Sequence, residues 1–470
     1  MRNTKITCTI GPACESPETL RALVEAGMSV ARLNGSHGSP EHRRDIIDRI
    51  RAVDATTSRT VAVLHDLPGP KVRTAPMEGE IQLEAHSTIR FRKADETTTE
   101  QIGLSHDITA VTAGDRILLD DGRIETVVES VSGDVITATV QNTESLSGRK
   151  GVIVPGVELG LPLITDRDRR ELEVAAEKGV DFVAASFVRD GESIMEITRV
   201  LEELGANIPV IAKIERSVAV ENLDSIIEAA YGVMVARGDL GVECPLEVVP
   251  MIQKRIIRLA NEAGVPVITA TEMLDSMTTA RRPTRAEASD VANAVLDGTD
   301  AVMLSGETAM GDHPVRVVET MDRIVRAVED SPEYAENIED HVPDADATQS
   351  DALARSGRFL ASDVGAKALV VASESGYTAL KAAKFRPSVP IIVSTPSEDV
   401  RRQLALSRGV ISRTIRYSDE GAIAVINNAV QSALDTDVIR SEDTVVVLSG
   451  MMTDVEGVNT SNILKIHTVQ

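Results

Sequence analysis

Short apolar runs rich in β-branched residues alternate with stretches whose apolar residues recur at helical spacing, and this alternation organises most of the chain. Lys5–Ile10 is the first such run, closed by Gly11-Pro12. Ser16-Pro17 then reads as N-cap and first helical position of a helix to Ala26. Ser29–Leu33 is a second strand, Glu41–Ala52 a second helix, and Thr60–His65 a third strand ending in Asp66. At Pro68–Pro70 the rhythm breaks. From Lys71 to about Val154 the pattern shows little helix, Gly-bearing turns, and an alternating stretch at Glu125–Val140 that reads as a hairpin. Pro155-Gly156 marks the return. Strands then follow at Phe182–Ser186, Val210–Lys213, Gly232–Ala236, Val265–Ala270 and Ala301–Leu304, with helices between them, one over Ser217–Ala230, and a last helix over Pro314–Val328.

That makes eight strands, each joined to the next by a crossover long enough for parallel pairing. Residues 1–69 and 157–331 together make 244 residues, close to the roughly 250 of an eight-fold barrel. The expected fold is therefore α/β: a (β/α)8 TIM barrel in two pieces, 1–69 and 157–331. Residues 70–156 form an inserted small β-barrel-like lid domain, hinged at Gly69-Pro70 and Pro155-Gly156. The acidic, Pro-bearing stretch 332–348 reads as a linker. Residues 346–470 form a C-terminal α/β domain with strands expected at Ala368–Ala372, Pro390–Val393, Thr414–Tyr417, Thr444–Leu448 and Ile463–His467.

Barrels of this kind carry their chemistry at the carboxyl ends of the strands. Two of the runs end in charge: Lys213, Glu215 and Arg216 follow one, Arg237 and Asp239 the other. Two carboxylates beside an ammonium suit a hard divalent cation, Mg²⁺ or Mn²⁺, next to a transferring phosphoryl group. An ordinary ion-pair network is the plainer reading, as is a simple bridge from Lys213 to Glu215. Gly238-Asp239-Leu240-Gly241 follows a strand and could hold a carboxylate on its N–H groups. Thr271 offers a hydroxyl, or a helix cap. Arg32 and Arg73 are candidate phosphate forks, and Ser305-Gly306-Glu307-Thr308 ends the eighth strand with another hydroxyl. His37 and His65 lack metal-ligand spacing and read as structural.

Charge and composition narrow the classes. A formal net charge of −24 argues against nonspecific nucleic-acid binding. Only 11 of the 49 basic residues are lysine, so the surface is one that high salt would screen. With no Trp, base-stacking platforms are not expected. No uncharged apolar run approaches the roughly 18 residues of a membrane span, so no membrane partner is expected. No secretory signal is expected either, because Lys5 and Cys8 already lie in a strand-like run. Cys8, Cys14 and Cys244 have no C-x-x-C spacing, which points away from a disulfide scaffold or zinc site. These features imply a cytoplasmic protein.

Several long motifs, in order, carry a resemblance over nearly the whole chain: K-I-T-C-T-I-G-P (Lys5–Pro12), A-R-L-N-G-S-H-G (Ala31–Gly38), K-I-E (Lys213–Glu215), M-V-A-R-G-D-L-G-V-E (Met234–Glu243), T-A-T-E-M-L-D-S-M (Thr269–Met277), P-T-R-A-E-A-S-D-V-A-N-A-V (Pro283–Val295) and L-S-G-E-T-A (Leu304–Ala309). The chain resembles the pyruvate kinase family. That resemblance implies phosphoryl transfer from phosphoenolpyruvate to ADP, giving pyruvate and ATP, the final step of glycolysis. It implies that Arg32 grips the phosphoenolpyruvate phosphate and that Lys213 stabilises the moving phosphoryl group and enolate. Glu215 and Asp239 would hold the divalent metal. Gly238, Asp239 and Thr271 would seat the substrate carboxylate, with Thr271 and Ser305 on the catalytic side. Arg73, Lys150 and Asn34 would serve the nucleotide. Asn34, Ser36, Asp66 and Thr74 resemble monovalent-cation ligands. A homotetramer, and a phosphorylated effector at the C-terminal regulatory domain, are implied by the resemblance alone.

The chain departs from the family pattern in three places. Lys71 stands where potassium-dependent members carry glutamate, so a tethered ammonium is expected to replace K⁺ near Asn34, Ser36 and Asp66. In the loop Ser373–Thr378, which resembles an effector phosphate loop, Tyr377 takes the place of a basic residue. The later loop, residues 450–457, has no Arg or Lys, which weakens a sugar-bisphosphate site. A metal-dependent aldolase or lyase on the same barrel, and a catalytically silent metabolite-binding regulator, are the competing readings. The first needs no nucleotide clamp such as Arg73 and Lys150, and the second would be expected to lose Lys213 or a metal carboxylate.

Overall fold

A computed structural model describes residues 2–340, 342–343, 348–417, 422–450 and 462–470. Eight parallel strands close into a barrel: β1 (Lys5–Thr9), β2 (Val30–Asn34), β3 (Ala62–Asp66), β4 (Phe182–Ala185), β5 (Val210–Ile214), β6 (Gly232–Ala236), β7 (Val267–Ala270) and β8 (Ala301–Leu304). They neighbour one another in sequence order, and β8 closes on β1. The strands are mostly apolar because both faces of the sheet are covered, and their charged residues, such as Arg32, Asp66 and Lys213, fall at or near the carboxyl ends. Val30, Leu64, Phe182, Ile211, Met234, Ile268 and Met303 fill the interior. The outward residues pack under the ring of helices.

Helix starts follow the expected chemistry. Ser16 caps Pro17–Ala26 by accepting the Thr19 N–H, Ser39 caps Pro40–Asp54, and Thr165 with Asp168 and Thr284 with Glu287 form capping boxes. The crossover expected as one helix over Ser217–Ala230 is two, Ser217–Glu221 and Leu223–Ala229. They break at Asn222, whose side-chain amide donates to Arg189 O at 3.1 Å and pins the chain there.

Between Asp54 and Asp166 the described chain carries no helix. It forms a six-stranded sheet and a two-stranded pair around a core that includes Phe91, Ile102 and Ile117. The Glu125–Val140 hairpin is present as Ile124–Ser132 against Val135–Val140. Gly69 and Gly156, at the two crossings into this segment, have φ of 64° and 73°, left-handed conformations that glycine adopts without strain.

The C-terminal sheet runs Val410–Thr414, Ile391–Thr395, Leu369–Ala372, Thr444–Ser449, Ile463–Thr468, with the last strand antiparallel. Its edge strand lies four residues earlier than the expected Thr414–Tyr417. Val410 and Ile411 supply the β-branched residues that pair with Ile391 and Ile392.

The linker expectation also needs correction. Pro332–Asp340 is a helix. Its Tyr334 and Ile338 are buried in the barrel's helical shell, and the Tyr334 hydroxyl accepts from Arg408 Nε at 3.0 Å. The C-terminal unit docks on the amino-terminal end of the barrel: Ala405 and Leu406 plug its floor, and Lys5 Nζ donates to Val410 O at 2.6 Å. No helix among the described residues is long and apolar enough to cross a membrane.

Candidate active site

Barrel register decides which side chains meet at the carboxyl-terminal mouth. Arg32 lies level with Leu64, and Asn34 with Asp66. The centre of the cluster is Asp66, at the end of β3 and 1 % exposed. It takes Arg32 Nη2 at 2.6 Å and Nε at 2.7 Å on one oxygen, and Lys213 Nζ at 3.4 Å on the other. Burial pushes its carboxyl up, but the charges of Lys213 and Arg32 outweigh burial and hold it below the ordinary carboxylate range.

Lys213 Nζ also donates to Ser186 Oγ at 2.6 Å and lies 3.2 Å from Glu215 Oε2. Burial opposes its charge, yet Asp66, Glu215 and Asp239 together raise its pKa, so it stays an ammonium. Glu215 is 3 % exposed and accepts the Phe187 N–H at 2.6 Å. Burial, with Asp239 and Asp66 adding to it, raises its carboxyl against the pull of Lys213.

Thr271 sits just past β7 at φ 65°, and Glu272 follows at 53°, both left-handed and non-glycine. Arg237 holds this turn: its Nε donates to Ala270 O at 3.1 Å, its Nη2 to Thr271 O at 2.7 Å, and its Nη1 to Asp290 Oδ1 at 2.5 Å. Thr271 Oγ1 accepts the Gly238 N–H at 2.8 Å and donates to Ala270 O. The Gly238 amide is therefore engaged in this state, not free for a carboxylate. Ser305 Oγ is buried without a hydrogen-bond partner, while Ser305 N–H and Leu274 N–H both donate to the buried Glu307.

The other expected residues fall elsewhere. Asn34 Oδ1 accepts the Ser36 N–H at 3.0 Å, which shapes the loop after β2. Arg73 is exposed and donates to Arg149 O, and Lys150 Nζ pairs with Asp120 at 2.8 Å. Both stay within the inserted segment. Thr74 bonds there too: its Oγ1 accepts the Lys150 N–H at 2.9 Å. The expectation that Lys71 enters the Asn34–Ser36–Asp66 pocket is not met in this structure. Its ammonium lies 3.4 Å from Asp239 Oδ1 and 3.7 Å from Asp121 Oδ1, because the turn after Pro70 carries it across the cleft towards the nearest exposed carboxylates. His65, expected as structural, is buried against Glu171 at 3.0 Å. The effector-loop expectation for residues 450–457 falls, beyond Gly450, outside the described residues.

A cleft open to solvent separates barrel and inserted segment. Lys71, Glu215, Arg216, Asp239 and Glu243 line it. Among the described residues no three His, Cys, Asp or Glu side chains converge as a metal cage. Glu215 and Asp239 instead offer hard oxygens, each faced by an ammonium (Lys213 and Lys71). That donor set fits a cation such as Mg²⁺, which keeps substrate oxygens and waters in its shell. Ser186, Arg237 and Thr9, whose Oγ1 accepts from Arg32 Nη1 at 2.9 Å, carry no role in the site from sequence. Arg237 stood out only as a charge at a strand end, and nothing local marked it as the clamp on Thr271.

The family model for "Pyruvate kinase, barrel domain" matches residues 1–318, and that for "Pyruvate kinase, alpha/beta domain" matches residues 351–467. The chain belongs to the pyruvate kinase family. Pyruvate kinases of Staphylococcus saprophyticus and Staphylococcus aureus strain MRSA252 are each 44 % identical to it, and one of Staphylococcus epidermidis is 43 % identical. Each alignment covers 100 % of this chain and 81 % of the relative. Like the family, this chain is a phosphotransferase of glycolysis acting between phosphoenolpyruvate and ADP. The aldolase and silent-regulator readings fall away. Pyruvate kinases generally use Mg²⁺ and K⁺.

Proposed function

We propose that phosphoenolpyruvate binds over the Arg32–Asp66–Lys213 cluster and that ADP enters from the inserted segment. The observation that carries this reading is the ammonium of Lys213, kept charged by Asp66 and Glu215 at the mouth of the barrel. Arg32 turns its remaining donor capacity towards the phosphate. Lys213 lies where charge develops on the bridging oxygen as the phosphoryl group leaves, and a preorganised cation there needs no rearrangement during reaction. Glu215 and Asp239 would hold the divalent cation, which would neutralise phosphoryl and enolate oxygens. Thr271, on its clamped turn, presents a hydroxyl to the enolate face that must be protonated, with Ser305 beside the same mouth. Gly238 would seat the carboxylate once its N–H leaves Thr271. Arg73 and Lys150 reach the nucleotide phosphates when the inserted segment closes. Because transfer is largely positioning and electrostatics, this set accounts for the rate without a covalent intermediate.

Were a divalent cation held at Asp239, the Lys71 ammonium would be repelled by like charge. Lys71 would then turn to Asn34, Ser36 and Asp66 and supply the charge that K⁺ otherwise brings, so that no monovalent cation would be required. A cytoplasmic homotetramer with a phosphorylated effector at the C-terminal unit completes this reading. The test is a coupled assay with phosphoenolpyruvate and ADP in tetramethylammonium chloride at fixed ionic strength. Turnover should need Mg²⁺ or Mn²⁺ and respond little to added KCl. Strong activation by potassium would defeat the role given to Lys71, and no turnover with any divalent cation would defeat the assignment of the site.

A further inference from the structure

Away from the active site, a second cleft of about 1000 Å³ opens where the C-terminal unit meets the barrel. One wall is the end of helix Pro40–Asp54 with the loop to Thr60. The other is helix Glu398–Gln403 with the strand Val410–Thr414. Five arginines line it against two carboxylates, Asp54 and Glu398, in a chain whose net charge is −24. Three of the arginines are engaged in ion pairs, and two of them, Arg401 and Arg402, tie the C-terminal unit to the barrel. Arg401 pairs with Asp54 at 2.6 Å and with Glu398 at 2.8 Å. Arg51 and Arg402 share Asp181, at 2.7 and 2.8 Å.

The other two have no carboxylate. Arg59 is exposed and makes no side-chain hydrogen bond or ion pair among the described residues. Arg413 donates from Nη2 to Asp435 O at 3.0 Å, while its Nε is buried with no hydrogen-bond partner among the described residues. An unpaired buried guanidinium nitrogen costs free energy that an anion would recover, and planar guanidinium forks match phosphate oxygens. Hydroxyls of Thr57, Ser58, Thr60 and Thr414 surround the arginines, and no aromatic ring lines the cleft. The lining therefore suits a polyhydroxylated body and offers no platform for stacking a base.

We propose that this cleft binds a phosphorylated sugar or polyol, its phosphate on Arg59 and Arg413 and its hydroxyl groups on the threonine and serine rim. The site is distinct from the Ser373–Thr378 loop, and its occupancy can be read without turnover, so its failure and that of the phosphotransfer reading are separable.

The test is calorimetric titration of the full-length protein, without substrates, with sorbitol 6-phosphate, inorganic phosphate and sorbitol at fixed ionic strength. Sorbitol 6-phosphate should bind at least about tenfold more tightly than phosphate, and sorbitol should not bind. R59S, at an exposed position, should weaken sorbitol 6-phosphate by about tenfold, the loss expected for one charged hydrogen-bonding group. R59S/R413S, checked for an unchanged melting profile, should weaken it further. S375E, which puts a carboxylate in the other candidate loop, should leave binding unchanged. Absence of binding, equal affinity for phosphate, unchanged affinity in R59S, or loss of binding in S375E would each overturn the proposal.

Discussion

At the scale of single residues, the proposed site is a cluster of charges that are kept charged by one another. Asp66 would be protonated by burial alone, and Lys213 neutralised by it. Together with Arg32 and Glu215 they form a cluster in which each ion is paired at 2.6 to 3.4 Å. Removing one member leaves the others buried and uncompensated. Lys213→Met should therefore lower turnover by about 10³–10⁵, the range for a cation acting on a transferring phosphoryl group, while Mn²⁺ binding, measured by electron paramagnetic resonance, persists. More than a tenth of wild-type turnover in this variant would remove Lys213 from the reaction.

At the scale of elements, a strand end acquires its function through a clamp made by its neighbour. The left-handed turn at Thr271 and Glu272 is costly for non-glycine residues. Arg237, from the end of β6, holds it through two carbonyls and is itself anchored on Asp290. Arg237→Gln shortens that reach, so Thr271 loses its place while its own side chain is untouched. The expected result is a fall of roughly 10²-fold in kcat, the scale for a misplacement of about 1 Å. The KM for ADP should change far less, because Arg73 and Lys150, the residues proposed for the nucleotide, lie in another element. A lower melting temperature with unchanged kcat would mean that the clamp is structural only.

At the scale of the whole molecule, two junctions matter. The first is between barrel and inserted segment. Among the described residues the side chains of Arg73 and Lys150 bond only within the inserted segment, and glycines with positive φ stand at both crossings. Adding Mg²⁺ and nucleotide should shrink the distance between the two units in solution scattering. Identical scattering with and without nucleotide would count against closure.

The second junction is the barrel floor, where Lys5 is buried under the C-terminal unit. Burial pushes its pKa down from 10.5 to about 7. With the folded value below the unfolded one, the unfolded state binds more protons between about pH 7 and 10, and stability rises with pH across that window. Below about pH 7 Lys5 is charged in both states and carries its full desolvation cost. The melting temperature should therefore climb from pH 7 to 9.5 in the wild type and climb less in Lys5→Met. Equal slopes in the two proteins would refute this.

Much was legible in the chain by itself. Parallel strands covered on both faces must be apolar along their length and polar where they emerge, so the eight runs, their charged ends and the hairpin at Glu125–Val140 announced themselves locally. Helix starts at Ser16-Pro17 and the glycines at both crossings into the inserted segment were equally plain, because capping and left-handed turns depend on one or two residues. What escaped depends on closure and on distance along the chain. That Asp66 is the centre of the cluster follows from the register of β2, β3 and β5, which brings together residues 34 and 147 positions apart. Ser186 and Arg237 carry no local mark, since a serine or arginine after a strand serves many ends. The helix at Pro332–Asp340 looked like a linker because its acidic face dominates its composition, and only docking buries Tyr334 and Ile338. Lys71 has a long flexible stem, and its partner was chosen by which carboxylate lay across the cleft rather than by which stood nearest in sequence. Periodicity is a property of neighbours along the chain, and it determined the elements. The site depends on which elements meet, and that only the closed barrel decided.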